Sequence, residues 1–313
     1  MKKFIFVFLL TLWTVPLLIP LPQIYETEDH KSLAYEDSEF INIDGIDIHV
    51  IKKGEGEKTF LLLHGFGSHS YTWFKIMDEL SKIGTVIAFD RPAFGLTERV
   101  LNSSLRFNPY STDYSVELTK KILNYYEIDK AIFIGNSAGG TVSILSYFYY
   151  PEKVESLILI NPAVYTGNNV SLFNRIIFKI PHVHKYGPYV VSKLLNENGD
   201  QIIISAWSDP SLIDDETLEN YRKPLKIKNW ENSLWDFTIS SQNNNVKEKI
   251  NEIKIPVLII GGKEDNIIPI EDTIKLHENI EDSILVVLEN CGHVPQEECP
   301  EIIIKIINEY VFK

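Results

Sequence analysis

The sequence predicts an α/β protein built on one eight-stranded, mostly parallel sheet wrapped by helices, and three segments carry that prediction. Ala131-Ile132-Phe133-Ile134 is a short apolar run that ends in glycine, and Gly140 to Tyr150 behind it places Val142, Leu145 and Phe148 on one side of a helix. Thr59-Phe60-Leu61-Leu62-Leu63 and Ile255-Pro256-Val257-Leu258-Ile259-Ile260 are two further runs, each leading into a glycine-bearing loop. Strands apolar throughout, separated by helical patterns, suit a sheet covered on both faces.

In chain order, Lys2 and Lys3 precede Phe4 to Leu21, eighteen residues without a charge. As a helix this run would cover roughly 27 Å, against a hydrocarbon core of about 30 Å. It reads as a signal peptide or an anchor, and the absence of a small-residue cleavage site in Ile19-Pro20-Leu21-Pro22-Gln23 favours an uncleaved membrane anchor over residues 1–23. The two lysines predict that the amino end stays in the cytoplasm and the catalytic domain lies outside, with secretion after cleavage as the alternative. Residues 24–38 are polar and acidic, as a tether would be. Phe40 to Ile43, Asp44-Gly45 and Ile46 to Ile51 then read as a hairpin with a two-residue turn.

Thr85 to Phe89 and Ser156 to Ile160 supply further strands, and Tyr71 to Lys82, Tyr110 to Tyr126 and Pro300 to Val311 the packing helices. Residues 39–165 and 250–313 thus form two parts of one core. Between them, residues 166–249 have a helical pattern, with Trp230, Leu234 and Trp235 clustered. That insertion reads as a helical lid after the sixth strand, whose aromatics, Tyr186, Tyr189, Tyr221 and Phe237 among them, could line a pocket.

The chemistry concentrates in Gly135-Asn136-Ser137-Ala138-Gly139. Strand, Gly-x-Ser-x-Gly, helix is the nucleophile elbow, in which a turn tight enough to lift the serine oxygen clear of the sheet has no room for side chains two positions away. Ser137 then begins a helix, where the backbone N–H of Ala138 is free to meet a developing negative charge. His64-Gly65-Phe66-Gly67 offers a second oxyanion donor, the Phe66 N–H, and His64 itself reads as a structural group bonded to its own loop. A serine nucleophile needs an imidazole base and a carboxylate that orients it. Asp265 leaves one strand and His293, in Cys291-Gly292-His293-Val294-Pro295, leaves the next, 28 residues later, which is room for one helix and one strand. Ser137, Asp265 and His293 are the expected catalytic residues, on one edge of the sheet.

With these motifs in hand, the chain resembles the α/β-hydrolase fold superfamily, in the branch carrying His-Gly-Phe-Gly, Asp-Arg-Pro-x-Phe-Gly, Gly-Asn-Ser-x-Gly-Gly and Gly-His-x-Pro-Gln-Glu. They stand here as His64 to Gly67, Asp90 to Gly95, Gly135 to Gly140 and Gly292 to Glu297. Ala93 departs from the usual glycine. The resemblance implies an α/β-hydrolase fold and a serine hydrolase, without metal or cofactor, acting on a small-molecule substrate, with a small or medium carboxylic ester expected first. A carbon–carbon bond hydrolase of the meta-cleavage type is the alternative, favoured by Asn136 before the serine; those enzymes usually carry Trp after the catalytic His, where Val294 stands. A non-catalytic binding or sensing module is the reading from another class, opposed by the complete triad.

Composition bounds the rest. At 313 residues and 44% hydrophobic, the chain can bury a large core, and a net charge of −13 argues against a nucleic-acid partner. His182 and His184 read as surface residues rather than metal ligands, and Cys291 and Cys299 as free thiols rather than a disulfide. The oligomeric state is left open.

Overall fold

The computed structural model describes residues 11, 13–21, 26–101, 105–166, 177–178, 180–240 and 245–312. Eight strands form one sheet: β1 Ser38–Ile43, β2 Ile46–Lys53, β3 Thr59–Leu63, β4 Thr85–Phe89, β5 Ala131–Asn136, β6 Val154–Ile160, β7 Val257–Gly262 and β8 Ile284–Leu288. Their order is β1-β2-β4-β3-β5-β6-β7-β8, with β1/β2 and β2/β4 antiparallel and the remaining pairs parallel. Asp44 (φ 55°) and Gly45 (φ 84°) make the two-residue hairpin turn, both left-handed as that turn requires.

The core helices are α1 Phe74–Ser81, α2 Thr112–Tyr125 and α3 Ala138–Tyr149, and after the insertion α7 Ile270–Asn279, α8 Pro295–Glu298 and α9 Pro300–Val311. Alternation along the strands feeds two cores. Leu61, Leu63 and Phe133 point to one face and Phe60, Leu62 and Ile134 to the other, all fully buried. Each such side chain contributes roughly 1.5–3 kcal/mol by leaving water. Burial on both faces is why these strands read as unbroken apolar runs.

Between β6 and β7 the described residues include the helices α4 Pro181–Ile204, α5 Asp215–Arg222 and α6 Trp230–Ser240. α4 and α6 pack tightly at Gly187, where a Cβ would stand 2.3 Å from the Trp235 ring. The insertion also holds the amino-terminal segment. Glu28 forms a parallel bridge with Ile227, so the stretch expected as a tether runs along the insertion there.

The expected membrane anchor does not hold. Among the described residues no helix is long and apolar enough to cross a membrane. Among the described residues, 11 and 13–18 are helical, and this helix ends before Pro20. Lys185 Nζ donates to the carbonyls of Pro16 (2.8 Å), Leu17 (2.7 Å) and Ile19, and the Tyr186 hydroxyl donates to Pro16 O at 2.9 Å. Trp13 lies edge-on to His182, their ring centroids 4.2 Å apart. Pro20 follows the end of the helix, and the carbonyls of Pro16, Leu17 and Ile19 are met by polar groups of α4 rather than left to lipid. The membrane partner and the extracytoplasmic location inferred from Phe4 to Leu21 fall with the anchor; Phe4 to Leu10 and Leu12 lie outside the described residues.

The expectation of free thiols is also overturned: Cys291 and Cys299 are disulfide-bonded. The single turn of α8 carries Cys299 back over Cys291, and the ring so closed contains His293.

Candidate active site

Ser137 sits between β5 and α3 with φ 52° and ψ −119°, a backbone conformation that side chains disfavour and that only the surrounding structure can impose. What imposes it is close approach. A Cβ on Gly139 would lie 2.0 Å from Leu63 O, and one on Gly135 would lie 2.6 Å from the backbone of Gly139 and Gly140. The Ser137 N–H donates to Ile160 O at 3.0 Å, and Ser137 O accepts from Ala163 N–H at 3.1 Å. Ala138 opens α3, so its N–H is among those a helix start leaves without an intrahelical partner.

His293 and Asp265 meet: Nδ1 stands 2.7 Å from Oδ2. With an ionised carboxylate as acceptor, Nδ1 carries the proton and Nε2 is the ring's free base. Asp265 Oδ1 accepts from the N–H groups of Ile267 (2.7 Å) and Ile268 (2.9 Å), which fixes the carboxylate plane. Its side chain is fully buried and that of His293 is 8% exposed.

Two asparagines connect this pair to the elbow. Asn136 Nδ2 donates to His293 O at 3.0 Å and to Ile160 O at 3.2 Å. Asn161, at the end of β6, donates to Gly292 O at 2.9 Å and His293 O at 3.1 Å, and its Oδ1 accepts from Gly262 N–H at 2.8 Å. The loops after β5, β6, β7 and β8 are thereby bound to one another. The His293 N–H donates to Ala206 O at 2.7 Å, just past α4, so the insertion touches the same loop. Glu298 ties the loop to the insertion, accepting from Gly292 N–H (2.6 Å) and Asp209 N–H (2.7 Å). None of these braces has a sequence spacing that announces it.

Gly65 lies against the nucleophile, since a Cβ there would stand 3.3 Å from Ser137 Cβ. Phe66 is 56% exposed, and its ring centroid lies 5.7 Å from that of Phe94 and 5.9 Å from that of Phe237 of α6. Phe237 and Tyr221 are insertion aromatics that reach the loop after β3, Phe237 at Phe66 and Tyr221 at Ser68 and His69. Trp207, Trp230 and Trp235 are buried, while Tyr221 bonds into the core. His64 takes the structural role expected of it, with Nδ1 2.7 Å from Gly65 O. Ala93 holds φ 80°, so the departure from glycine leaves an alanine in the left-handed region, at a cost of about 1–2 kcal/mol. His182 faces Trp13, and His184 lies 3.8 Å from Asp236.

A second serine–histidine–aspartate set was missed from sequence. The Ser38 hydroxyl is 2.7 Å from His49 Nε2, and His49 Nδ1 is 2.7 Å from Asp90 Oδ2. His49 and Asp90 are fully buried, and Ser38 Oγ already accepts the Tyr35 N–H at 2.8 Å. Asp90 further accepts from Ser70 N–H (2.6 Å) and Leu96 N–H (2.7 Å), so this set ties β1 and β2 to the loops after β3 and β4.

In α8, Glu297 Oε1 accepts from the hydroxyls of Thr72 and Tyr221, each at 2.5 Å. Burial pushes its carboxyl up to about 7, against the lowering effect of Thr72, Tyr221 and Lys75. An acid raised in the fold from 4.5 stabilises it in protonated form; that contribution is whole below about pH 4.5 and lost as pH rises through about 7. Stability is therefore expected to fall over that window, by up to about 1.4 kcal/mol per pH unit. Glu297→Gln keeps the acceptor oxygen and removes the titration. Urea midpoints from pH 5 to 8 should be flatter in the variant, and an unchanged slope would assign the titration elsewhere.

Comparison with known proteins agrees with this fold. A family model described as the alpha/beta hydrolase fold matches residues 58–300. YugF of Bacillus subtilis (strain 168), an uncharacterized hydrolase, is 27% identical over 273 residues, 86% of this chain and 96% of its own. The 2-hydroxy-6-oxononadienedioate/2-hydroxy-6-oxononatrienedioate hydrolase of Comamonas testosteroni is 30% identical over 264 residues, covering 80% of this chain and 86% of its own. Among solved structures, the meta-cleavage product hydrolase CumD of Pseudomonas fluorescens IP01 superposes with a TM-score of 0.65 at 26% identity, over 87% of this chain and 97% of that one. A strained serine at a glycine-walled elbow, with a histidine–aspartate pair on the same sheet edge and a model matched from β3 to α9, leads to one assignment: the chain belongs to the alpha/beta hydrolase family.

Proposed function

We propose that this hydrolase cleaves a carbon–carbon bond next to a ketone in a small, conjugated keto acid, with Ser137, His293 and Asp265 as its catalytic residues. The supporting observation is that relatives 26–30% identical over 80% or more of this chain are named for one reaction type, the hydrolysis of 2-hydroxy-6-oxo-dienoates. In this reading Ser137 Oγ attacks the ketone carbon, and its proton passes to His293 Nε2. The Phe66 and Ala138 N–H groups hold the resulting oxyanion. The carbon–carbon bond then breaks, its electron pair and one proton leaving on the dienoate fragment, and water hydrolyses the acyl-serine to a carboxylic acid. Asp265 keeps His293 in the tautomer that both steps need.

Ester hydrolysis is the second reading. It uses the same groups, and it is favoured by Val294, a buried aliphatic residue after the histidine where the meta-cleavage enzymes usually carry Trp. The two are separated by measuring kcat/KM for 2-hydroxy-6-oxo-6-phenylhexa-2,4-dienoate and for p-nitrophenyl esters of graded chain length. The first reading expects the dienoate to be preferred by at least about tenfold, a difference of about 1.4 kcal/mol in transition-state binding. Preference for any ester of the series would replace it with the second.

A further inference from the structure

The peptide unit from the Gly65 carbonyl to the Phe66 N–H is the one assigned above to the oxyanion, and two donors converge on its carbonyl. His64 Nδ1 stands 2.7 Å from Gly65 O, and Arg91 Nη2 donates to it at 3.0 Å. The same Nη2 donates to His64 O at 2.8 Å. Arg91 also settles the histidine's tautomer: its backbone N–H donates to His64 Nε2 at 3.1 Å, so that nitrogen is the acceptor and the proton sits on Nδ1, facing Gly65 O. Burial first, and the Arg91 cation second, hold the His64 ring well below its usual pKa and so neutral.

Arg91 is itself 2% exposed, and its Nε has no hydrogen-bond partner among the described residues. Burial lowers the guanidinium to about 10, which leaves it charged at neutral pH. A buried cation bonded to backbone carbonyls is costly to place and calls for a purpose beyond packing.

We propose that Arg91 is a positioning residue for the oxyanion site, turning the Phe66 N–H toward Ser137 by holding the carbonyl of the same peptide. In a trans peptide the C=O and N–H point in opposite directions. A carbonyl pinned on Arg91 and His64 therefore sends the N–H to the other side of the peptide, and Gly65 packs against Asn136 and Ser137, with the Ser137 Cβ 3.3 Å from where a Gly65 Cβ would stand. Donation to the carbonyl also polarises the amide and strengthens the N–H as a donor. Gly65 has the backbone freedom to let this peptide rotate, so without Arg91 the unit loses its charged clamp. The inference rests on the reading of Ser137 and the Phe66 N–H given above.

The test uses the full chain with Arg91→Met and Arg91→Lys. Two quantities are read: kcat and KM on the better substrate of the preceding section, and the affinity of an aryl trifluoromethyl ketone, which forms a tetrahedral oxyanion on a reactive serine, against that of the corresponding alcohol, which does not. Losing a well-aimed oxyanion donor costs on the order of 10²-fold or more in kcat. Arg91→Met should lose about 10²-fold in kcat with KM within about threefold, and ketone affinity should fall in parallel while alcohol affinity holds. Arg91→Lys, which keeps the charge but reaches only one of the two carbonyls, should recover part of the loss. Wild-type kcat and ketone affinity in folded Arg91→Met would overturn the inference and leave the serine hydrolase reading intact. Should Arg91→Met not fold, Arg91→Lys decides: a tenfold loss of kcat at constant KM supports the inference, and wild-type kcat overturns it. If the wild type binds the ketone no better than the alcohol, the underlying reading fails and takes the inference with it.

Discussion

Ser137→Ala is expected to remove on the order of 10⁴ to 10⁶ of the rate, the range seen when a triad member is deleted. Stability should barely move. The side chain caps nothing in α3, and the strained backbone at this position is imposed by Leu63, Gly139 and Ile160, which the substitution leaves in place. A fluorophosphonate should label the wild type at Ser137 and leave the variant unlabelled. If purified Ser137→Ala kept more than a few per cent of wild-type kcat with an unchanged thermal midpoint, the nucleophile would have to be sought elsewhere. The Ser38–His49–Asp90 set is the first place to look, and its buried histidine and already occupied serine oxygen argue against it.

Asp265→Asn comes second in size, with an expected loss of about 10⁴ in kcat. Asp265 Oδ1 receives two backbone N–H groups, from Ile267 and Ile268, so the asparagine oxygen is held at that corner and its amide nitrogen is turned toward His293 Nδ1. Two donors cannot face each other, and the ring must then carry its proton on Nε2. That tautomer has no lone pair for the Ser137 proton. The fold survives because both turn bonds survive. Measured kcat at neutral pH, with circular dichroism as the check on folding, decides it: an active Asp265→Asn would mean that the 2.7 Å contact is not what sets the tautomer.

Much of this was legible in the chain. Parallel strands buried on both faces must be apolar throughout, so β3, β5 and β7 stood out as uninterrupted runs. The elbow was legible because its glycines are demanded by backbone contact, and backbone contact leaves no alternative residue. Asp265 and His293 could be placed on neighbouring strands because a parallel crossover needs a helix between strands, which fixes the separation. The amino-terminal run shows the limit of the same reasoning. Hydropathy treated Phe4 to Leu21 as one span, whereas its described helix ends before Pro20 and α4 gives the carbonyls of Pro16, Leu17 and Ile19 polar partners.

What only the tertiary structure decided depends on groups far apart in sequence whose chemistry is ordinary in isolation. Asn136 and Asn161 look like any strand-end amides until Gly292 and His293 arrive to accept their protons. Cys291 and Cys299 read as thiols until one turn of helix folds one over the other. Arg91 is a lone cation in a loop until the Gly65 carbonyl comes within 3.0 Å of it. Hydrophobic periodicity and steric exclusion act over a few residues, so they are written along the chain. Hydrogen bonds between loops depend on orientation at about 3 Å, which is set only once the whole sheet has fixed where each loop begins.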